Sequence, residues 1–365
     1  MSTRHAALIT GGAGFIGTNL ADRLVQEGRR DVIVFDDLSR PGVLQNIEWL
    51  TRQHGERVEL IRGDIRDAAA VEDAVSQAAE VYHLAAQVAV TTSLRDPVRD
   101  FEINARGTLN VLEAIRRQAS PPPLIFTSTN KVYGALEDIE LADRSSRCTP
   151  ISRGVRRFGI DEMRPLDFHS PYGCSKGAAD QYVRDYARSF GLRALVFRMS
   201  CIYGPHQQGN EDQGWVAHFL ICARDGNPVT VFGDGLQVRD VLFVDDLVDA
   251  FLLGMQNIEK LSARAFNIGG GSLNTLSLLE LLGFIEQQQR AKTAVRQAAA
   301  RTGDQRYFVS NTSAFSAATG WQARVGVAEG LRRLTAWLST EGPEASTPRG
   351  HQVTGTAPAL VGAMR

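Results

Sequence analysis

The feature that most constrains this chain is a glycine-rich turn near its beginning, between a predicted strand and a predicted helix. The strand is predicted at residues 5–10 and the helix at residues 14–27, with Gly11, Gly14 and Gly17 in GxxGxxG spacing. Gly11 allows a tight turn, Gly14 allows a pyrophosphate to approach the main chain, and Gly17 allows the helix to pack closely on the strand. Because unpaired N–H groups at a helix start bind phosphate, this segment predicts a dinucleotide site.

Short apolar segments alternate with helical patterns over the first 200 residues. Strands are predicted at residues 5–10, 31–36, 57–63, 80–84, 123–128 and 194–199, and helices at 14–27, 68–77, 98–117 and 172–190. Asp67 and Asp96-Pro97 precede two of these helices, where a capping carboxylate and a first-turn proline are favourable. The alternation predicts the α/β class, with a doubly wound parallel sheet of the Rossmann type and helices on both faces.

Composition divides the chain into three parts. Residues 1–200 are expected to form the dinucleotide-binding domain, residues 201–340 mainly a smaller C-terminal substrate-binding lobe, and residues 341–365 a disordered tail rich in Pro, Gly, Ser and Thr. Residues 135–170 form a polar, Arg-rich insertion that is too long for a plain connection. We expect this insertion to be an active-site element with some structure of its own; an irregular surface loop is the alternative.

Composition also argues against several classes of function. The 365 residues are 43% hydrophobic, which is enough to bury a large core. Forty Lys and Arg residues against 41 Asp and Glu leave a net charge of −1, so neither nucleic acid nor a membrane is an expected partner. No apolar run reaches the roughly 20 residues that span a bilayer, and no signal-peptide pattern is present, so we expect a cytoplasmic protein. The four cysteines lack the spacing of a zinc site, and no metal is expected.

Asp36 bears on which dinucleotide is bound. It ends the second predicted strand, about 20 residues beyond the glycines, where an acidic residue accepts hydrogen bonds from the adenosine ribose. The same carboxylate would repel a 2′-phosphate, which favours NAD over NADP. Arg40 is close enough in sequence to neutralise such a phosphate, so NADP stays open. A glycine-rich turn that binds no dinucleotide is the other alternative.

Tyr172 and Lys176 form a candidate catalytic pair. They are four residues apart at the start of a predicted helix, so their side chains share one face. An ammonium group near a phenol stabilises the phenolate and lowers a pKa that is ordinarily about 10, which would let Tyr172 exchange protons near neutral pH. Alone, the spacing also fits two solvated residues on one helical turn. Together with the dinucleotide motif, it predicts catalysis.

These motifs together resemble the extended short-chain dehydrogenase/reductase family of nucleotide-sugar epimerases and dehydratases, over residues 5–340. The resemblance implies an NAD-dependent enzyme, and a homodimer formed through the helices near 98–117 and 175–190. Residues 127–134 (TSTNKVYG) match the family motif that completes a triad with Tyr172 and Lys176, which places the third role on Thr129. Residue pattern and resemblance together predict cofactor contacts from Gly11, Gly14, Phe15, Ile16, Gly17, Asp36, Arg40, Asp64, Ile65, Leu84, Ala85, Ala86, Gln87, Tyr172 and Lys176.

The resemblance also implies a nucleotide-diphosphate sugar as substrate. Residues 229–235 (VTVFGDG) and 237–240 (QVRD) resemble the family's nucleotide-binding stretch, and Arg239 would hold the diphosphate through its planar guanidinium. Arg306 is a second candidate, with a solvated surface arginine as the alternative. Many relatives carry Asn where Cys201 stands, so the contact that this Asn makes with substrate is not carried over to Cys201. The expected substrate-binding residues are Asn130, Lys131, Cys201, Arg239 and Arg306, although Lys131 also fits a solvated charge at a strand end.

The residues after Thr129 bear on the reaction. Family 4,6-dehydratases carry Asp-Glu there, whereas this chain has Asn130-Lys131, and an amide and an ammonium cannot supply the acid and base that remove water. The STNKVYG sequence, the long insertion and residues 200–205 (SCIYGP) resemble the CDP-paratose (CDP-tyvelose) 2-epimerases. We therefore expect C2 epimerisation of a CDP-(dideoxy)hexose through a transient keto sugar. The alternatives are a UDP-sugar 4-epimerase, a net NAD-dependent oxidoreductase, and a dinucleotide-sensing protein without catalysis.

Overall fold

A large parallel sheet stands at the centre of the protein, of which a computed structural model describes residues 6–301 and 303–342. Along the chain the strands are β1 (Ala6–Thr10), β2 (Asp31–Asp36), β3 (Val58–Arg62), β4 (Ala78–His83), β5 (Leu124–Thr129), β6 (Leu141–Asp143), β7 (Cys148–Pro150), β8 (Ala194–Met199), β9 (Cys201–Tyr203), β10 (Val229–Phe232), β11 (Val238–Phe243), β12 (Ala265–Ile268), β13 (Thr275–Ser277), β14 (Val295–Ala298) and β15 (Tyr307–Phe308). The helices are α1 (Phe15–Gln26), α2 (Val43–His54), α3 (Ala68–Ser76), α4 (Val90–Arg95), α5 (Pro97–Phe101), α6 (Gly107–Arg116), α7 (Arg153–Phe158), α8 (Ser170–Ser189), α9 (Trp215–Arg224), α10 (Val244–Gln256), α11 (Ile258–Leu261), α12 (Leu278–Gln289), α13 (Ser313–Thr319) and α14 (Val327–Thr340).

The central sheet has seven parallel strands in the order β3-β2-β1-β4-β5-β8-β12. The order reverses at β1, because the chain builds outward first through β2 and β3 and then, on the other side, through β4 and β5. In such sheets the ligand crevice lies at the carboxyl ends of the strands beside this switch point. The predicted doubly wound α/β fold is confirmed, and all six predicted strands are present.

Both faces of the sheet are covered by helices. Successive strand residues point to opposite faces, so Ala7 and Ile9 of β1 pack into one core and Leu8 into the other. The first core is completed by α1, α2, α10 and α13, and the second by α3, α6 and α8. Burial on both faces explains why the strands read as continuous apolar runs rather than as alternating patterns.

A smaller lobe packs over the carboxyl ends of the strands. Its core lies between β10, β11, α9, α12 and α14, and α12 begins with a capping box between Ser277 and Glu280. The expected division at residue 200 is not a clean one. Residues 265–268 return to the large sheet as β12, and Phe251 of α10 and Phe266 of β12 fill the core of that sheet.

Several segments differ from expectation in detail. Helices α2 and α4 were not predicted, and the predicted helix at residues 98–117 is interrupted by a π turn at Glu102–Arg106. The predicted cap at Asp67 is confirmed, since its side chain accepts hydrogen bonds from the N–H groups of Ala69 and Ala70. Asp96 caps α5 in the same way. The predicted disordered tail at 341–365 falls, from residue 343 onward, outside the described residues. None of the described helices combines the length and hydropathy needed to cross a lipid bilayer.

The insertion at residues 135–170 has structure of its own, as expected. It contains the β6–β7 hairpin, in which Leu141–Asp143 pairs with Cys148–Pro150, followed by α7. The amide of Cys148 donates to the carbonyl of Leu236 at 2.8 Å, and the amide of Ile160 donates to the carbonyl of Val309 at 2.7 Å. These contacts fasten the insertion to the smaller lobe.

His83 joins three elements beside the switch point. Its Nδ1 lies 2.6 Å from Thr10 Oγ1 at the end of β1, and its Nε2 lies 2.9 Å from Thr108 Oγ1 on α6. Burial, reinforced by the charge of Lys176, lowers the pKa of His83 to about 3. In the unfolded chain this pKa is near its ordinary value of about 6.5. The unfolded state therefore takes up a proton in a pH range where the folded state does not.

The free energy of unfolding is expected to fall as the pH drops from about 6.5 to about 3, with His83 contributing up to about 1.4 kcal/mol per pH unit. Urea unfolding of the wild type and of His83→Gln, at neutral pH and at about pH 5, measures this contribution. The variant should show the shallower dependence on pH. Equal slopes for the two proteins would contradict the assignment of this proton uptake to His83.

Candidate active site

A cavity of about 720 Å³ opens at the carboxyl ends of β1, β4 and β5 and extends beneath the smaller lobe. This volume is within the range of small-molecule sites. The structure brings nearly all the predicted site residues together here. The lining contains Gly11, Gly14, Phe15, Ile16, Gly17, Asp36, Arg40, Asp64, Ile65, Leu84, Ala85, Ala86, Gln87, Thr129, Asn130, Lys131, Tyr172, Lys176, Cys201 and Arg239.

Arg306 and the insertion are the exceptions. The Arg306 side chain is half exposed, and its guanidinium lies 2.9 Å from both Asp234 and Asp143, outside the cavity. The structure therefore does not bring Arg306 to the cavity, because two surface carboxylates hold it elsewhere. None of the described residues that line the cavity comes from 135–170, and the active-site role of the insertion stays a prediction. It contacts the smaller lobe and also β12 of the large sheet, where the amide of Asn267 donates to Glu162 at 2.7 Å.

The glycine-rich turn leaves space and free donors at one end of the cavity. Gly11 has φ +69°, and a Cβ on it would lie 2.7 Å from the amide nitrogen of Ala85. A Cβ on Gly17 would lie 2.5 Å from the Cα of Gly12, so α1 packs against the turn as predicted. No side chain caps the start of α1. The N–H groups of its first turn are thus available to a phosphate, and this end of the cavity fits a dinucleotide.

Asp36 and Arg40 lie beside this turn. The Asp36 carboxylate accepts hydrogen bonds from the amides of Leu38 at 2.9 Å and Ala13 at 3.2 Å. Burial raises the pKa of Asp36 in spite of these bonds. Arg40 donates to Oε1 of Gln213, which belongs to a stretch at 207–214 that lines the cavity from the smaller lobe. Arg40 thus joins the two sides of the cavity mouth.

Thr129 lies close enough to Tyr172 to lower the pKa of its phenol, and Lys176 lies one helical turn beyond Tyr172 on α8. Thr129 ends β5, and its hydroxyl also accepts the amide N–H of Lys131 at 3.2 Å. Lys176 is 3% exposed, with Nζ 4.3 Å from the centre of the Phe126 ring. The predicted triad members therefore meet at the carboxyl end of β5, beside the dinucleotide end of the cavity.

Burial changes both pKa values of the predicted pair. It raises the pKa of Tyr172 to about 12 and lowers the pKa of Lys176 to about 7. The expectation that Lys176 lowers the pKa of Tyr172 is corrected, since that pKa is raised. Thr129 and the charge of Arg40 oppose the rise, but burial, together with the charge of Asp100, outweighs them. Ionisation of Tyr172 near neutral pH therefore needs further positive charge in the cavity.

A buried polar network behind α8 was not predicted. The Asp100 carboxylate accepts hydrogen bonds from Ser175 Oγ at 2.5 Å and from Gln87 Nε2 at 2.8 Å. Asn104, within the π turn, donates to Ser175 Oγ at 3.0 Å and accepts from the amide of Gln87 at 2.9 Å. The network holds the residue next to Lys176. It joins residues far apart in sequence, so no local pattern could have indicated it.

Basic side chains gather at the other end of the cavity. Arg239 Nη2 lies 2.7 Å from Asp304 Oδ1, and Lys131 Nζ lies 3.6 Å from the same oxygen. Burial favours the neutral form of Asp304, but Arg239 and Lys131 outweigh it and hold the pKa of Asp304 below its ordinary value. Arg301 lies 3.7 Å above the centre of the Phe232 ring and 3.6 Å from Asp212.

Arg301 and Asp304 were missed by sequence reasoning. The sequence has two arginines in one segment, Arg301 and Arg306, and only Arg306 was predicted to bind substrate. Cys201 lines the cavity between the two ends, and burial raises the pKa of its thiol, which interacts with Trp215. The Cys201 thiol is therefore neutral. Among the described residues, no group of three or more His, Cys, Asp or Glu is placed to hold a metal ion.

Comparison with known proteins agrees with this geometry. CDP-paratose 2-epimerase from Salmonella typhi is 43% identical over 340 residues, which cover 91% of this chain and 99% of that protein. UDP-glucose 4-epimerase from Thermotoga maritima, solved with UDP-glucose, superposes with a TM-score of 0.77 at 30% identity, over 92% of this chain and 98% of that one. UDP-glucose 4-epimerase from Thermus thermophilus, solved with NAD, has a TM-score of 0.76 at 31% identity, over 92% and 99%.

The family model described as the NAD dependent epimerase/dehydratase family matches residues 7–269. This match covers more than half of the chain, from the glycine-rich turn to the last strand of the large sheet. NAD, the cofactor of the family, fits the open turn and the uncapped start of α1. The chain belongs to the NAD-dependent epimerase/dehydratase family.

Proposed function

We propose that this protein epimerises a CDP-linked (dideoxy)hexose at C2 through a transient keto sugar. The observation that carries the proposal is the meeting of Thr129, Tyr172 and Lys176 in one cavity with Asn130-Lys131 beside them. An amide and an ammonium there supply no carboxylate pair for removing water, which favours epimerisation over dehydration. The 43% identity with CDP-paratose 2-epimerase supports C2 as the carbon and CDP as the nucleotide.

Three parts of the chain would hold the cofactor. The turn at Gly11 and Gly14 and the start of α1 would hold the pyrophosphate of NAD, Asp36 would accept from the adenosine ribose, and Lys176 would hold the nicotinamide ribose. When bound, NAD supplies an oxidised ring that takes up the hydride from C2 and returns it. The net reaction therefore consumes no cofactor.

The protein's own part is positioning and proton transfer. The Thr129 hydroxyl would hydrogen-bond the reacting oxygen, and Tyr172 would take the proton of the C2 hydroxyl and later give it back. Burial holds Tyr172 in its phenol form, with a pKa of about 12. The ammonium form of Lys176, with a pKa of about 7, would favour the phenolate once substrate fills the cavity. The keto sugar then turns its other face to the cofactor.

Quaternary structure and location complete the proposal. Apolar side chains are exposed on neighbouring helices, with Val98 70% exposed, Phe101 53% and Tyr182 47%. These lie on α5 and α8, which pack against each other, so the resulting face supports a homodimer; light scattering of the purified protein would decide it. The four cysteines are free thiols, which supports a reducing, cytoplasmic location.

The experiment that tests the reaction is product analysis in deuterium oxide. The purified enzyme is incubated with CDP-sugars that differ only at C2 and, in parallel, with UDP-sugars that differ only at C4, and the products are followed by NMR and mass. We expect inversion at C2 without uptake of solvent deuterium, because the hydride returns to the carbon that lost it. Denaturation of the same preparation should release NAD.

Other outcomes identify other reactions. Inversion at C4 of the UDP-sugars would favour the second candidate, a 4-epimerase, which the similarity to the two solved UDP-glucose 4-epimerases supports. Deuterium at the inverted carbon would mean that a proton is removed from that carbon. Loss of one water would indicate a dehydratase, and accumulation of NADH would indicate a net oxidoreductase. Released NAD without turnover of any sugar would favour a sensing role.

A further inference from the structure

Lys131 is a largely buried basic residue that the proposed proton transfer does not use. Its side chain is 20% exposed and lines the same cavity as Thr129 and Tyr172. The Thr129 hydroxyl caps the 3₁₀ turn at Asn130–Tyr133 and accepts the Lys131 amide, which directs the main chain here. Two residues of chain span at most about 7 Å, so the base of the Lys131 side chain is close to the catalytic threonine.

Lys131 shares its partner with a second cation. Its Nζ lies 3.6 Å from Asp304 Oδ1, and Arg239 Nη2 lies 2.7 Å from the same atom. Burial and the charge of Arg239 both lower the pKa of Lys131, and Asp304 offsets them only in part. Two like charges that converge on one carboxylate oxygen are stabilised by a further anion. The cluster is thus suited to a phosphate, and a lone solvated charge at a strand end does not describe it.

The position of this cluster bears on which carbon reacts. In a nucleotide-linked sugar the diphosphate is attached at C1, so C2 is the neighbouring carbon and C4 lies across the ring. An enzyme that works at C2 must hold the sugar-linked phosphate close to its proton-transfer groups, whereas one that works at C4 must hold it farther away. The main chain of Lys131 adjoins Thr129, and its side chain extends from there to the Asp304 oxygen that it shares with Arg239, so Lys131 connects the catalytic threonine with this basic cluster.

We propose that Lys131 binds the sugar-linked phosphate of the substrate and thereby places C2, rather than C4, against Thr129 and Tyr172. This inference rests on the proposed C2 epimerisation for its choice of carbon. Arg239 would bind the same phosphate. Asp304 contacts both Arg239 and Lys131, and it therefore holds the two cations close together before substrate binds. Lys131 is in this view a specificity-determining residue.

The test compares a nucleoside diphosphate with its monophosphate. The affinities of CDP and CMP for the NAD-loaded enzyme are measured by calorimetry for the wild type, Lys131→Met and Lys131→Arg. Loss of a charge-assisted hydrogen bond predicts that Lys131→Met weakens CDP binding by about 10- to 100-fold and changes CMP binding by less than about twofold. Lys131→Arg should restore part of the preference for CDP. Lys292→Met is the matched control, because Lys292 is 91% exposed and pairs with Glu286 at the surface.

The outcomes separate this inference from the proposed reaction. Equal weakening of CDP and CMP, or no weakening of either, would overturn the role of Lys131, even if the wild type inverts C2. A wild-type enzyme that shows the Lys131-dependent preference but does not invert C2 would overturn the proposed reaction instead. If cytidine nucleotides do not bind, the same comparison is made with UDP and UMP, since the contact is to phosphate and not to the base.

Discussion

Replacing Tyr172 with phenylalanine is expected to lower the turnover number by about 10²- to 10⁴-fold, the usual contribution of a general acid–base group. The ring still fills its site, and only the hydroxyl is lost. The enzyme should therefore keep its NAD and its thermal stability. Turnover is measured by NMR on the CDP-sugar pair, and NAD by release on denaturation.

Tyr182→Phe is the matched control for Tyr172→Phe. Tyr182 is on the same helix, ten residues further along, and its side chain is 47% exposed and outside the cavity lining. Removal of its hydroxyl should leave turnover unchanged. If Tyr172→Phe retained turnover close to that of the wild type while bound NAD was unchanged, Tyr172 could not be the proton-transfer group.

Replacing Gly11 with alanine is expected to remove most of the bound NAD. A left-handed backbone at φ +69° costs a residue with a Cβ about 1–2 kcal/mol, and the new Cβ would also lie 2.7 Å from the Ala85 amide. The main chain must move, and the phosphate cradle moves with it. The measurement is the amount of NAD released per protein, together with the melting temperature.

Gly28→Ala is the matched control, because it separates the cost of the left-handed backbone from the steric contact with Ala85. Gly28 has nearly the same backbone, at φ +66°, but no atom lies within 4 Å of the Cβ that would be added. This variant should lose only about 1–2 kcal/mol of unfolding free energy and keep its NAD. A Gly11→Ala protein that retained full NAD would show that close approach of strand and turn is not needed for cofactor binding.

The sequence predicted the large sheet well because its signals are local. Each parallel strand is a short apolar run, and helices such as α3 and α5 begin at a visible cap, Asp67 or Asp96. The last strand of the sheet was not predicted. Residues 265–268 form a short segment within a turn-rich region, and they join the sheet only because β8 offers an edge for pairing. Edge pairing depends on the folded sheet and not on the segment itself.

The parts of the candidate site that depend on residue spacing within one segment were predicted, and the parts that depend on the path of a loop were missed. The glycine turn and the Tyr172–Lys176 pair are defined by spacing within one segment. Which of Arg301 and Arg306 faces the cavity depends on the path of the loop after β14, and no spacing rule gives that path. The pKa of Tyr172 depends on burial by elements that are distant in sequence. The spacing of Tyr172 and Lys176 predicted a lowered pKa, whereas burial raises it.

The contact between Arg40 and Gln213 has a kinetic consequence. It links the loop after β2 to the stretch at 207–214, which lines the cavity from the smaller lobe. An enzyme that returns every hydride to its substrate has no need to exchange its dinucleotide between turnovers. A contact that slows release of the dinucleotide would therefore carry no penalty in rate, and the cofactor would serve as a permanent part of the catalyst. The direction of the reaction is then set by the two sugars alone, independent of the balance between oxidised and reduced dinucleotide in the surroundings.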